Sequence, residues 1–422
     1  MRFCHVTTFY PPHNFGGDGI LVQQMCEGLA RRGHEVDVVH CVDAYELKGQ
    51  PVTQVVSDPP GIRRHSLHSG WGLLSPLITQ QTGQPGLKQQ ALEQILSAAY
   101  DVVHFHNISL VGGPAVLRLS RAPVTLYTAH DHWLVCPAHV LWKYRKWPCE
   151  RPQCFSCSIV SGIPPQLWRY TNLLQHCLEH VDALIMPSEF AAKKHRAAGI
   201  NRPMQVLNSF SRLAQDETRD EARDEGRGDA RGDGSGANHR PGKPLFVYAG
   251  RLESSKGVEQ LVDAFRNRPG YELLIAGDGA LAGKLRSACG DCPHIRFLGV
   301  VQKNQLTALL RDADAVISPA WGPEAFPLVN IEAMSCGTPV IARRSGGSAE
   351  SIERSGGGLI YDQPEELLPL VDRIAGDPDL RRSLALKASE GYLKYFSEAR
   401  WMAQYFELID AIAATKTADH SR

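Results

Sequence analysis

Short apolar runs recur along the chain, and most are followed by a turn rich in Gly or Pro and then by residues at helical spacing. RFCHVTTFY (2–10) has the length and composition of a first strand, and PPHNFGGDG (11–19) reads as a loop. Leu21, Met25 and Leu29 then share one helical face, in a helix that closes at Gly33 with Asp18 expected as its N-cap. EVDVVH (35–40), DVVHFHN (101–107) and VTLYTAHDHW (124–133) read as further strands. ALIMPSEFAAKKHRAAGI (183–200) reads as strand, turn and helix, with Ser188 the expected N-cap. The second half repeats the rhythm. PLFVYAGRLESSKGVEQLVDAF (244–265) predicts strand, loop and helix, and YELLIAGDG (271–279), IRFLGVV (295–301) and AVISP (315–319) predict more strands. FPLVNIEAMSCG follows as a short helix, with Pro327 expected in its first turn and Gly337 just past its end. SEARWMAQYFELIDAI (397–412) puts Trp401, Tyr405, Leu408, Ile409 and Ile412 on one stripe. Residues 43–100 carry no pattern that predicts an element.

Strand, turn and helix in repetition describe an α/β protein, in which ligands collect beyond the carboxyl ends of the strands. A chain of 422 residues is too long for one compact core and suits two domains. The break is visible. From Gln215 to Lys243 the chain reads QDETRDEARDEGRGDARGDGSGANHRPGK, with no apolar residue larger than Ala. Such a segment cannot bury enough surface to offset the entropy of ordering, so a disordered insertion is expected over 213–243. The chain thereby divides into an N-terminal domain (1–212), the insertion, a C-terminal domain (244–395) and a terminal helix (396–422).

Composition narrows the partners. Hydrophobic residues make up 43% and charged residues 21%, as in an ordinary globular protein, and 45 acids balance 45 Lys plus Arg. Without a basic excess, nucleic acid is not the expected partner. MRFCHVTTFYPP lacks a basic n-region followed by a long apolar core, and no apolar run approaches a membrane span. The cytoplasm is therefore the expected location. Eleven cysteines in such a chain suggest thiols or metal ligands rather than a disulfide framework.

The candidate chemistry gathers in WGPEAFPLVNIEAMSCGTPVIARRSGG, residues 321–347. Glu324 lies in the turn and Glu332 inside the helix, and the free N–H groups of the helix start add partial positive charge. Together these could grip sugar or ribose hydroxyls. Read alone, they are equally an ordinary acidic first turn. Arg251 and Lys256, in a G-R-L-x3-K-G loop after a strand, suit a diphosphate and could offset charge on a leaving group. Gly16 and Gly17, at the start of a helix, would let backbone approach the same kind of group. Asp312-Ala313-Asp314 is formally a D-x-D motif, but it precedes a strand rather than following one and reads as solvated acids.

EAFPLVNIE, which runs from Glu324 to Glu332, resembles the E-x7-E signature of the retaining glycosyltransferases of family 4, and the resemblance extends over most of the chain. It implies the GT-B fold: two Rossmann-like domains facing a cleft, with a terminal helix crossing back to the first. It implies that Glu324 and the backbone of Ala325, Phe326, Pro327 and Leu328 hold the donor sugar, and that Glu332 holds the nucleotide ribose. The G-R-L-x3-K-G loop resembles the family's diphosphate site, and the loop of Gly16 and Gly17 its phosphate cover. Gly277 to Gly279 and the backbone of Gly299, Val300 and Val301 would line the base pocket. The T-x-H-D of Thr128 to Asp131 resembles the family's sugar-contacting histidine, here His130, with His106 a second candidate on the acceptor side. VLNSF (206–210) resembles its strand near the domain crossover. The activity that the resemblance implies is a metal-independent transfer of a sugar from a nucleoside-diphosphate sugar to a hydroxyl, with retention, catalysed by His130, Glu324, Arg251 and Lys256. The acceptor would be a glycan, a lipid-linked glycan or a small hydroxyl compound, with peripheral membrane contact at the inner face. A sugar phosphorylase, a sugar-nucleotide epimerase or a non-catalytic binding scaffold would share the fold.

One cluster lies outside that resemblance. Cys136, Cys149, Cys154 and Cys157 end in a C-x2-C pair, a spacing that lets two thiolates chelate one ion. Four thiolates would make a closed structural zinc site; the other reading is thiols in a loop. Around them Trp142, Lys143, Tyr144, Arg145, Lys146 and Trp147 could pack, or form an acceptor or membrane-surface patch.

Overall fold

The structure, a computed structural model, describes residues 1–47, 58–214, 242–290 and 292–420. The greater part of the expected charged insertion, 215–241, lies outside the described residues. The chain forms two compact units, one of Met1–Tyr144, Arg151–Ser209 and Trp401–Arg422, the other of Arg145–Glu150 and Phe210–Arg400.

In the first unit, β1 (Arg2–Val6), β2 (Glu35–Cys41), β3 (Ile62–Leu67), β4 (Val102–Phe105) and β5 (Val124–Thr128) join a later pair of strands in one sheet. Two-residue strands β6 (Trp142–Lys143) and β7 (Trp147–Pro148) stand outside it. With β8 (Ala183–Met186) and β9 (Met204–Val206) the order is β3-β2-β1-β4-β5-β8-β9, parallel throughout. The register sets His5 of β1 beside His104 of β4. Both faces of the central strands are covered, so Val6, Val39, Phe105, Tyr127 and Leu184 are buried and the strands read as apolar runs. The helix Glu189–Ala197 starts as expected at Ser188, whose side chain accepts from the Ala191 N–H at 3.0 Å.

Two expectations fail here for physical reasons. Asp18 is not the N-cap. Gly16, at φ 81°, turns the chain into helix Gly17–Arg31 early, leaving Asp18 inside the first turn, where its charge faces the positive helix end. The patternless stretch 43–100 contains β3 and the helices Leu74–Thr82 and Gln89–Leu96. Strand β3 lies at the sheet edge and holds on through charge, Arg63 gripping Asp37 with two bonds of 2.8 and 2.7 Å. Helix Leu74–Thr82 inverts the usual code. It buries Ser75 and Thr79 around the ammonium of Lys88, at 2.9 and 3.0 Å, and exposes Leu74 and Leu77.

In the second unit, β10 (Leu245–Ala249), β11 (Glu272–Ala276), β12 (Ile295–Gly299), β13 (Ala315–Ser318), β14 (Val340–Arg343) and β15 (Gly358–Tyr361) make a parallel sheet in the order β12-β11-β10-β13-β14-β15. Asp312 is exposed, but Asp314 is not simply solvated. Its carboxylate accepts from the Leu245 N–H at 2.8 Å and meets Arg381 at 3.2 Å, tying the start of β10 to its neighbour.

The helix Glu398–His420 closes the chain, and from Trp401 onward it belongs to the first unit. Its predicted stripe is buried at Trp401, Tyr405 and Ile409. The Tyr405 hydroxyl pairs with Nδ1 of His104 at 3.0 Å, and Lys416 reaches Asp182 and the Pro123 carbonyl at 2.7 Å each. Deleting so large a buried ring leaves a cavity as well as a lost bond. Tyr405→Ala should therefore cost about 3–5 kcal/mol in chemical denaturation, whereas Tyr405→Phe, which keeps the ring, should cost about 1 kcal/mol.

Candidate functional site

In the second unit every loop that follows a strand leaves from the same sheet edge, because all six strands are parallel. Backbone hydrogen bonds stitch these loops together. Gly250 donates to the Ala276 carbonyl at 3.0 Å, Leu252 to Asp278 at 2.9 Å and Gly277 to Gly299 at 2.7 Å. On the other side, Trp321 and Gly322 both donate to the Ser255 carbonyl, at 2.9 and 2.7 Å, and Gly347 donates to Glu324 at 2.7 Å. Two glycines permit close approaches between the loops. A Cβ on Gly257 (φ 71°) would lie 2.0 Å from the Pro319 oxygen, and one on Gly346 (φ 61°) 2.3 Å from that of Glu324. Any side chain there would push apart the loops that carry Lys256 and Glu324.

The result is a direct side-chain contact between two sequence-predicted residues of this unit. Nζ of Lys256 donates to Oε1 of Glu324 at 2.6 Å, with both side chains mostly buried. Arg251 lies on the same loop, but its guanidinium is more than half exposed and pairs with Glu253 at 2.8 Å. Tyr248 fixes that loop by donating its hydroxyl to the Arg251 carbonyl at 2.8 Å.

Glu332 sits in helix Leu328–Ser335. Pro327 takes the N-cap position there, in an extended conformation, rather than the first turn. The Glu332 carboxyl is half-buried, and desolvation pushes its pKa up to about 7 against the pull of Lys303. Ala325, Phe326 and Pro327 are buried and Leu328 is half-buried, so this turn offers backbone rather than side chains. Gly277 is half-buried and Gly279 exposed, while beyond β12 the side chain of Val300 is 78% exposed and Gly299 and Val301 are half-buried. Sequence reasoning missed Arg343 and Trp321, whose guanidinium lies over the indole at 3.8 Å. Basic-aromatic pairs far apart in the chain leave no local signal.

In the first unit, Gly16 and Gly17 are exposed at the start of their helix. His130, just past β5, is half-buried, and burial takes its pKa down to about 4 against the opposing effect of Asp131. His106 is not open to an acceptor. It is fully buried, with Nε2 on His5 and Nδ1 on His130, each at 2.9 Å. His5, a partner that sequence reasoning passed over, betrays itself as a polar residue in the buried part of β1.

No disulfide joins the cysteines among the described residues. Cys154 and Cys157 are three apart on helix Cys154–Val160 and share a face, and Cys136 is buried. Cys149 lies on the Arg145–Glu150 segment of the second unit. Two trios of potential metal donors gather within 4.8 Å among the described residues, His5 with His104 and His106, and Asp43 with Glu46 and His68.

Comparisons with known proteins bear on the family and the fold. Residues 15–209 match the family described as Glycosyltransferase Family 4, and residues 235–390 match Glycosyl transferases group 1. An uncharacterized glycosyltransferase of Methanocaldococcus jannaschii is 26% identical over 94% of each chain. Among solved structures, sucrose-phosphate synthase of Thermosynechococcus elongatus superposes with a TM-score of 0.72, at 21% identity, over 98% of this chain and 99% of its own. HepE of Anabaena, solved with UDP and glucose, gives 0.65 at 18% identity over 97% and 100%.

The Glu332 carboxyl makes stability depend on pH. Its pKa is raised in the folded state, so between pH 4.5 and about 7 the folded protein holds a proton that the unfolded chain has lost. That contribution is complete below the window and lost above it. Glu332→Gln should gain thermal stability relative to the parent at pH 8 compared with pH 5, as read by unfolding scans at both pH values.

Proposed function

This chain belongs to the family 4 glycosyltransferases, has their GT-B fold and takes its sugar from a nucleotide sugar; we propose that it transfers a hexosyl group, with retention, to a hydroxyl of a glycan or lipid-linked acceptor in polysaccharide or glycolipid assembly. The observation that carries this reading is the Lys256–Glu324 pair at the carboxyl edge of a parallel sheet. A nucleoside-diphosphate sugar offers each partner a better counterpart, phosphate for the ammonium and hydroxyls for the carboxylate. Lys256, with Arg251 swung from Glu253, would stabilise the departing diphosphate. Glu324, the backbone from Ala325 to Leu328, and His130 would orient the sugar. Gly16 and Gly17 would cover the phosphates, and Gly277, Gly279 and Gly299 to Val301 would line the base. The anomeric carbon–oxygen bond to the diphosphate breaks and the acceptor oxygen bonds on the same face. Its proton passes to the leaving phosphate oxygen, so no metal is required.

Uridine is the base we favour, because the structurally similar HepE was solved with UDP and glucose. Peripheral membrane contact is supported by helix Cys154–Val160, which leaves Phe155, Ile159 and Val160 about half exposed. No helix among the described residues is long and apolar enough to cross a membrane. A structural zinc on Cys136, Cys149, Cys154 and Cys157 is a separate proposal, resting on the C-x2-C spacing; protein purified without chelator should carry stoichiometric zinc.

Thermal-shift screening against UDP-, GDP- and ADP-sugars should show one class, UDP-sugars, raising the unfolding midpoint. Product from that donor and a hydroxyl acceptor should keep the donor's anomeric configuration by NMR. An inverted product, or no shift with any sugar nucleotide, would overturn the reading. Ribose hydroxyls donate more strongly to Glu332 when it is ionised. Donor affinity should therefore rise from pH 6 to 8 and lose that rise in Glu332→Gln.

A further inference from the structure

Three histidines from three neighbouring strands of the first unit form a file. Nδ1 of His5 on β1 lies 2.9 Å from Nε2 of His106, just past β4, and Nδ1 of His106 lies 2.9 Å from Nε2 of His130, just past β5. The ring planes differ by only 10° and 23°, at centroid separations of 5.2 and 5.1 Å. The rings are thus edge to edge and nearly coplanar, and each ring proton can point along its neighbour's lone pair. His104 lies against the file without joining it. Its Nδ1 is taken by Tyr405 and its Nε2 by Thr128, at 3.0 and 2.7 Å.

The trio of His5, His104 and His106 is compact enough to suggest a metal ion, but its nitrogens are already engaged. With His104 held by two hydroxyls and His106 by two imidazoles, only Nε2 of His5 remains, and one nitrogen does not hold an ion. Burial favours the neutral form of all of these rings.

A neutral imidazole carries one proton, donating at one nitrogen and accepting at the other. Each hydrogen bond in the file needs one donor and one acceptor. Only two arrangements satisfy both bonds: every ring protonated at Nδ1, or every ring protonated at Nε2. The tautomer of His130 is therefore tied to the far end of the file, at Nε2 of His5. That atom is buried and has no hydrogen-bond partner among the described residues. If it bore a proton, a donor would be orphaned in the core, the rarer and costlier case; left bare, it is only an unused acceptor.

We propose that His5 and His106 are positioning residues that fix the proton of His130 on Nδ1, so that His130 meets its ligand as a hydrogen-bond donor, to a sugar or phosphate oxygen. The proposal rests on the reading of His130 as a ligand contact, but its geometry is independent of that reading. Nδ1 is the His130 nitrogen that the file leaves over. The donor is set by hydrogen bonding through the sheet rather than by charge.

Protein labelled with 15N-histidine tests this directly, since protonated and bare ring nitrogens have well-separated 15N shifts. Long-range 1H–15N correlations should show His5, His106 and His130 all protonated at Nδ1. An Nε2-protonated His130 would overturn the proposal. Adding the sugar nucleotide that gives the largest thermal shift should then move the His130 ring signals. If they do not move while the tautomers are as stated, the file stands and the ligand role of His130 fails. In His5→Asp an ionised carboxylate facing Nε2 of His106 can only accept, so the file should flip: His106 and His130 become protonated at Nε2, and affinity for the sugar nucleotide falls about tenfold, the worth of one hydrogen bond. In His5→Phe the buried end passes to Nε2 of His106, which again faces no acceptor, so His130 should stay protonated at Nδ1 and keep its affinity. Equal behaviour of the Asp and Phe variants would also overturn the proposal, and the tautomer measurement on the parent protein remains decisive if either variant does not fold.

Discussion

The candidate site depends on one ion pair, Lys256 with Glu324. It joins loops that come after two adjacent parallel strands, β10 and β13, and it stands where ligands bind in sheets of this kind. At 2.6 Å and an effective dielectric near 20, two unit charges attract by about 6 kcal/mol. Taking both mostly out of water costs several kcal/mol per ion, so the net contribution is small. A pair of this kind is poor evidence of stability and good evidence of a site. Each group serves as counter-ion for the other, and the proposed donor would offer a phosphate to one and hydroxyls to the other. The loops do not move freely to form it. Gly257 and Gly346 let backbone pass where a Cβ would collide, and the Ser255 carbonyl accepts from Trp321 and Gly322.

How much of this could be read from the chain depended on which forces left a local trace. Strands buried on both faces read as apolar runs, so β1, β2, β4, β5, β8 and β10 to β13 were legible, and with them the edge that carries the candidate residues, whereas the four-residue strands β14 and β15 were not read as elements. Glu324 and Lys256 could be named from their motifs' resemblance to the family, but their contact could not be read, because it depends on the β10–β13 pairing of segments far apart in the chain. Strand β3 and helix Leu74–Thr82 were illegible because polar groups hold them. A bidentate Arg63–Asp37 bond and a buried Lys88 between two hydroxyls break the apolar period. Asp18 was misplaced because a glycine with positive φ started the helix first.

The first unit handles polarity differently. Beside the Arg63–Asp37 pair at its edge, its sheet holds imidazoles that burial favours as neutral, each bonded to a neighbouring ring or to a hydroxyl. The terminal helix contributes the Tyr405 hydroxyl to His104. Register explains why these rings meet, since β1 and β4 pair His5 with His104 and the alternation of the strand then brings His106 alongside. Lys256 and Glu324 in one unit, and His106 and His130 in the other, follow the carboxyl ends of parallel strands.

The most direct measurement of the central claim is calorimetric titration of Glu324→Ala with UDP and with the matching sugar nucleotide. If Lys256 belongs to the diphosphate and Glu324 to the sugar, freeing the lysine should leave UDP affinity unchanged or tighter. The added affinity that the sugar confers on the parent protein should disappear. Equal losses for UDP and for the sugar nucleotide would contradict that division of roles, and with it the site described here.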